Sequence, residues 1–503
     1  MPRQLILAHD LGTSGDKAVL VGLEEGIVGS SFAPYATHAP VETWAEQDPR
    51  DWWEAVCATT QEIVRTHRLS QKDVAAIVFS GQMMGCLPVD RDGTPLRCAI
   101  IWADQRAIQE AQEFVERVGL ARVYHITGHR VGPAYSGPKM AWLRRHEPRV
   151  FRETYKFLQA KDFVVHRLTG TWATDYSDAC GTGLFDLAKK QWAQELVETM
   201  GLEPEVLPRA VSSTAIVGEL TGGAAQATGL ASGTPVVIGG GDGVCATAGA
   251  GVVTEGSAYV YLGSSAWLAT ASRDPLLDPA MRTFTWVHMD PGWYSPNGTM
   301  HNAGASLDWV RGLFGVTDYA MFEAEAAACG PGAGGLVFLP YLRGERSPHW
   351  NPRARGTFVG LTPGHGRAHI FRAVCEGVAL NLRVILQALE EQGLSVPRIR
   401  VVGGGAQSRL WRRILADVLA RPLELVAHPL EATAVGAAMA GAVGVGLVPS
   451  LAEAGECLAR TVEVQSPTPS DVYPHLYRVF RRAYDQLVPV FEDLARIQEQ
   501  GMV

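Results

Sequence analysis

Asp10, Gly12, Thr13, Ser14 and Lys17 fall within one short stretch, DLGTSGDK, between the apolar runs Ile6–Ala8 and Ala18–Val21. Two strands joined by such a turn gather a carboxylate, two hydroxyls, free backbone N–H groups and an ammonium around one small volume. That set suits a polyphosphate with its divalent cation: the carboxylate holds the hydrated ion, and N–H and hydroxyl donors take phosphate oxygens. A lone Asp-x-Gly-Thr is equally well an ordinary hairpin turn. A second copy shifts the balance. Leu262-Gly263-Ser264-Ser265 repeats Leu11-Gly12-Thr13-Ser14, again between strand-like runs, with Tyr261 in the place of Asp10. Two related halves, each with a phosphate hairpin, predict a nucleotide clamped between two lobes.

Asp242 follows the strand-like run Pro235–Ile238 and three glycines, Gly239-Gly240-Gly241. Phosphoryl transfer to an alcohol needs an acceptor that orients the hydroxyl and takes its proton, and a carboxylate here can face both lobes. Asp at such a turn also suits a helix N-cap, where the helix dipole favours its ionised form. Gly403, Gly404 and Gly405 lie between a strand, Ile399–Val402, and a helix that Ser408 is placed to cap. Backbone without Cβ atoms admits a flat or anionic ligand there, although a tight strand-to-helix turn uses the same residues. Gln82, Met83 and Met84 follow the buried-strand run Ala75–Phe79; Trp102, Asp104 and Arg106 follow a second run, Cys98–Trp102. Ligands of open α/β sheets sit beyond such strand ends. Amide, carboxylate and guanidinium groups exchange hydrogen bonds with vicinal hydroxyls, and an indole packs on C–H groups, so these residues are candidate polyol ligands. Taken singly, Trp102 reads as core and Asp104–Arg106 as a surface pair. The chain has no GxxxxGK[ST] and no GxGxxG after a strand, which argues against a P-loop enzyme and a Rossmann dehydrogenase.

The 503 residues, 47% of them hydrophobic, suffice for two domains, and the boundary is expected near Gly251, giving halves 1–250 and 251–503. A net charge of −8 without basic clusters argues against nucleic acid as partner. The eight cysteines show no CxxC spacing and read as thiols in a reducing compartment. The first residues lack the pattern of a signal peptide. Ala432–Ala452 is free of charge, but it is mostly Ala, Gly and Val and contains Pro449. It reads as a small-residue helix packed on a sheet rather than a membrane span, so a cytoplasmic protein is expected. Helices are predicted from Pro49 (capped by Asp48), over 367–392 as the longest of the second half, from Ser408 to Leu419, and over 473–500 with a kink at Pro489. The segment 199–234 is expected to loop over the surface.

Taken together these residues resemble the FGGY family of carbohydrate kinases over nearly the whole chain. The similarity is carried by Asp10–Lys17, by Tyr135-Ser136-Gly137-Pro138-Lys139-Met140-Ala141-Trp142-Leu143, and by Gly356–Glu376, with Cys375 at a usually aliphatic or aromatic position. Lys161-Asp162 with Leu168-Thr169-Gly170, and Thr174–Ala179, add to it. The resemblance implies an α/β, two-lobed, actin/hexokinase-like (ribonuclease H-like) fold with a central cleft. It implies ATP and Mg²⁺ as cofactors, sugar bound by the first half and nucleotide by the second, no membrane, and a possible homodimer. It makes Asp242 the catalytic base and a neighbour of the metal together with Asp10. Thr13 and Lys17 serve the phosphates, Gly263-Ser264-Ser265 close over the γ-phosphate, and Gly403–Gly405 border the adenosine. Ser80–Gly85 and Pro340–Pro348 are most similar to the xylulokinase branch. Met84 stands where that branch usually has His, and Gly243 where it has Asn. Unmatched sugar hydroxyls are costly to bury, so kinases of ribulose, gluconate or alditols stay open beside xylulose. A non-catalytic, actin-like nucleotide switch is the alternative from another class.

Overall fold

The computed structural model describes residues 4–70 and 72–499. The outer ends of the two expected halves, 1–3 and 500–503, and with them Gln500 of the last predicted helix, lie outside the described residues.

Two sheets share one plan. The first contains β1 (Leu5–Leu11), β2 (Gly15–Gly22), β3 (Gly26–Pro34), β4 (Val74–Gly81), β5 (Ile216–Glu219) and β6 (Pro235–Gly241), in the order β5-β6-β4-β1-β2-β3. The second contains β7 (Ala258–Leu262), β8 (Ala266–Thr270), β9 (Phe284–Val287), β10 (Tyr294–Met300), β11 (Ile399–Val402), β12 (Leu423–Val426) and β13 (Thr461–Gln465), in the order β9-β10-β8-β7-β11-β12-β13. In each sheet three antiparallel strands (β1–β3; β7, β8, β10) lead into two parallel ones (β4, β6; β11, β12). The parallel strands of the first sheet carry no charged residue and are almost entirely buried, as expected where helices cover both faces. Asp10 pairs with Lys17 across the first hairpin, and Tyr261 with Trp267 across the second. The duplication seen in the two turns therefore extends to whole sheets.

The helices that matter for the site are α1 (Pro49–His67), α2 (Ala160–Thr169), α3 (Tyr176–Cys180), α4 (Asp242–Gly249), α5 (Gly304–Leu313), α6 (Tyr319–Ala328), α7 (Arg367–Glu390), α8 (Arg409–Leu419), α9 (Ala432–Gly444) and α10 (Val472–Glu499). Asp48 caps α1 by accepting the Arg50 N–H, as its place before Pro49 predicts. The small-residue stretch does form a buried helix, α9, and its alanines share a core with Ile6 and Val78 of the first sheet and Val244 of α4. A Cβ at Gly249 would lie 1.8 Å from the Ala432 carbonyl oxygen, so α4 and α9 touch backbone to backbone. Residues from beyond position 251 thus complete the core of the first sheet. Among the described residues no helix is long and apolar enough to cross a membrane.

Three expectations change. Within 98–102 only Ala99–Ile100 pair, with Glu46–Gln47, outside both large sheets, so this run is not a neighbour of β4. Segment 199–234 is not one loop: it carries two short strands and the helix Gly222–Thr228. The longest helix of the second half is α10, with 28 residues against 24 in α7. It runs through Pro489, which stands inside it.

Candidate active site

The first turn is braced from three sides. Gly12 N–H donates to the Gly15 carbonyl at 3.0 Å, and the Tyr35 hydroxyl donates to the Gly12 carbonyl at 2.5 Å. Gln47 Nε2 donates to the Thr13 carbonyl (2.7 Å) and Trp102 Nε1 to Thr13 Oγ1 (2.9 Å). Ser14 is exposed beside them. The second turn is held by the start of α5: Gly263 O accepts from Gly304 N–H (2.9 Å), and Ser264 O from Ala303 and Ala305 N–H (2.8 and 3.1 Å). Ser265 closes that turn through its carbonyl, which accepts from Gly263 N–H at 2.9 Å.

Asp242 is the first residue of α4, and Gly241, not Asp242, is its N-cap. Its Oδ1 accepts the Gly243 N–H at 2.7 Å. Burial, and after it the charge of Asp10, push the carboxyl up to about 7 against that single hydrogen bond. The expected effect of the helix dipole is therefore outweighed: losing water and gaining a like neighbour dominate. Asp10 is also raised by burial, opposed by the hydroxyls of Thr433 and Ser80 and by Lys17. The second hairpin lies against this pair. Tyr259 OH donates to the Gly243 carbonyl (3.1 Å) and accepts from Trp267 Nε1 (2.5 Å). Tyr261 stacks on Trp267 at 3.9 Å, and its hydroxyl is raised by burial and then by Asp242 and Asp10. Lys17 turns to the other half of the chain, where its Nζ donates to Glu431 just before α9 at 2.7 Å.

On the sugar side the outcome is mixed. Gln82 is buried with Nε2 on Gln47 Oε1 (2.7 Å) and its own carbonyl oxygen without a hydrogen-bond partner among the described residues. Met83 packs on Gly241, where a Cβ would come within 2.5 Å of it. Met84 has φ 63°, and its carbonyl accepts from the buried Lys139 Nζ at 2.8 Å. Trp102, 40% exposed, is not core. Asp104 and Arg106 are not a surface pair: both side chains are buried, and Arg106 Nη1 has no hydrogen-bond partner among the described residues. Asp104 accepts from Arg106 Nε and Nη2 (2.9 and 2.7 Å) and from Ala45 N–H (2.6 Å). The guanidinium lies 3.7 Å over the Trp44 ring and pairs with Glu46 at 2.7 Å. Both are buried, so this ion pair shapes a wall; a buried carboxylate demands such partners before any ligand arrives.

The glycine loop and the second turn share a cavity of about 590 Å³ lined by Gly263, Ser264, Gly404, Gly405 and Ser408. Gly403 sits beneath it with φ +87°, where a Cβ would be 2.6 Å from the Leu262 carbonyl oxygen. Ser408 caps α8, as expected, by accepting the Trp411 N–H at 3.0 Å. Asp308 of α5 and Tyr319 and Glu323 of α6 also line the cavity. These three, with Tyr35 and Gln47, are residues that sequence spacing does not single out, because they arrive from several elements far apart in the chain.

Asp10 and Asp242 form a fitting part of a divalent cation site: two neighbouring carboxylates, with Asp10 Oδ1 buried and lacking a hydrogen-bond partner among the described residues. No cluster of three or more metal-ligating side chains occurs among the described residues, so a cation held by these two carboxylates would need phosphate and water oxygens as its remaining ligands.

Family comparison agrees with this layout. The N-terminal domain of the FGGY family of carbohydrate kinases matches residues 5–249, and its C-terminal domain matches 258–445. A xylulose kinase of Escherichia coli is 35% identical over 97% of this chain and 100% of its own length. A gluconokinase of Bacillus subtilis is 31% identical over 98% of this chain and 96% of its own. The crystal structure of xylulose kinase from Rhodospirillum rubrum superposes with a TM-score of 0.91 at 33% identity, covering 97% of this chain and 100% of that one. With both lobes matched in order and the two sheets built on one plan, the chain belongs to the FGGY family of carbohydrate kinases.

Proposed function

We propose that this protein transfers the γ-phosphate of ATP to a primary hydroxyl of a small sugar, with a pentulose of the xylulose type as leading acceptor. The observation that carries the proposal is the meeting of Asp242, Asp10 and the second hairpin around the start of α4. In this reading Asp242 orients the acceptor hydroxyl and takes its proton. A base held up near about 7 is matched to that task at neutral pH, because it is both ionisable and basic enough to accept. The cavity between Gly263-Ser264 and Gly404-Gly405 takes the nucleotide, with backbone N–H groups of the two turns facing the phosphates. Mg²⁺ beside Asp10 and Asp242 supplies neutralisation of charge on the phosphoryl group. Trp102 and Gln82 flank the acceptor side, and the Asp104–Arg106 pair stiffens the loop that presents Trp102.

Gluconate is the second reading, favoured by the full-length likeness to a gluconokinase. The test is ADP release from ATP and Mg²⁺ against a panel of pentuloses, pentitols and aldonates. Stimulation by xylulose above the others supports the first reading, and by gluconate the second. Stimulation by none of them, with ATP still bound, would instead favour a nucleotide-operated switch.

A further inference from the structure

The residue assigned as base stands at the end of three residues that have no side chains. Gly239 has φ +71°, and a Cβ there would lie 1.7 Å from the Phe79 carbonyl oxygen. Glycines let β6 press onto β4, where Gly240 and Gly241 pair with Ser80 and Gly81, but no side chain of their own fixes the peptide before Asp242. The side-chain hold comes from α3. Gly241 N–H donates to Ser177 Oγ at 2.9 Å. The Ser177 hydroxyl donates in turn to Asp175 Oδ2 at 2.5 Å, which turns its lone pairs towards the amide. Asp175 also accepts the Ser177 N–H (2.8 Å), and its other oxygen lies 3.1 Å from Lys161 Nζ. All three side chains are fully buried. Lys161 also packs on Gly81, where a Cβ would be 3.0 Å from its own, so one side chain backs the strand ends that lead to Gln82 and to Asp242.

We propose that Ser177, oriented by Asp175 and Lys161, is a positioning residue that fixes the peptide before Asp242 and thereby the aim of its carboxylate. It touches neither substrate nor reacting atoms, and the inference rests on Asp242 being the base. Losing this hydrogen bond displaces the carboxylate without removing it, and a misplacement of about 1 Å costs on the order of 100-fold in rate.

The experiment compares Ser177→Ala, Ser213→Ala and Asp242→Asn in the full chain, with kcat, both KM values and Tm for each. Ser213 is the matched control: its buried hydroxyl donates to the same Asp175 oxygen at 3.0 Å, but its side chain makes no hydrogen bond to residues 239–242. Ser177→Ala is expected to lower kcat by about 10- to 100-fold with both KM values within about threefold, while Ser213→Ala lowers Tm alone. Equal losses of kcat in the two serine variants, or wild-type kcat in Ser177→Ala while Asp242→Asn is inactive, would overturn the positioning role and leave the base assignment standing. Turnover retained by Asp242→Asn would overturn the base assignment, and this inference with it.

Discussion

Gly436→Ala should destabilise the protein although alanine is the better helix former. A Cβ at Gly436 of α9 would lie 1.9 Å from the Cys245 carbonyl oxygen and 2.8 Å from Gly249 N, both backbone atoms of α4. Carbon–oxygen contacts settle near about 3.3 Å, so the helices must part by roughly 1.4 Å, and neither obstacle can rotate away. Overpacking a close-packed core costs about 1–3 kcal/mol, and a backbone obstacle belongs at the upper end. Alanine's higher propensity returns about 1 kcal/mol. The net loss of about 2 kcal/mol lowers Tm by about 4–8 °C for a unit of about 200 residues. Because α4 starts at Asp242 and α9 carries Thr433 beside Asp10, kcat should fall with it. Gly312→Ala is the opposite case. Nothing lies within 4 Å of a Cβ there, so the propensity gain stands alone, about 0.5–1 kcal/mol or about 1–4 °C upwards. Thermal unfolding followed by circular dichroism reads both. If Gly436→Ala melts at or above the wild-type temperature, or both variants shift the same way, the backbone contact between α4 and α9 is not as described.

The pH dependence follows from the acid pair. Only ionised Asp242 accepts a proton, and burial with Asp10 holds it up to about 7, so kcat/KM should climb as pH rises through about 7 and level off above. A kcat/KM that is flat across that range would show that the acceptor titrates elsewhere. Gly404→Val tests the cavity: a Cβ at 404 meets nothing within 4 Å and projects into open space, so KM for ATP should rise about tenfold with KM for the sugar unchanged. If neither KM moves, that cavity does not hold the nucleotide.

Local patterns made part of this molecule legible. Alternation of apolar runs with Gly-Thr-Ser and Gly-Ser-Ser marked both hairpins, and an uncharged run rich in alanine and glycine marked α9, because each signal lies within one element. Ser408 and Asp48 as caps are likewise decided by a few neighbouring residues. What failed were judgements that depend on partners far along the chain. Asp104 and Arg106 read singly as a surface pair because Glu46 and Trp44, which lie against Arg106, come some sixty residues earlier. Cys98–Trp102 looked like a central strand because its hydrophobicity is correct, whereas pairing with Glu46–Gln47 is a tertiary fact. The upward push on Asp242 was not legible for the same reason: the dipole of α4 is local, but desolvation and Asp10 come from the assembled cleft.

The asymmetry between the two hairpins has an electrostatic reason. Their sheets are built alike, so an acid at position 261 would occupy the counterpart of Asp10. Tyr261 already lies close enough to Asp242 and Asp10 for both charges to raise its hydroxyl. A carboxylate there would be a third like charge in a buried space that two already strain. Each addition pushes its neighbours' pKa upwards, and Asp242 stands at about 7 with one such neighbour. A further acid would raise it again and so reduce the ionised fraction that accepts a proton at neutral pH. An aromatic ring stacked on Trp267 fills the same position without charge, so duplication of the scaffold is compatible with chemistry that needs its acids on one side only.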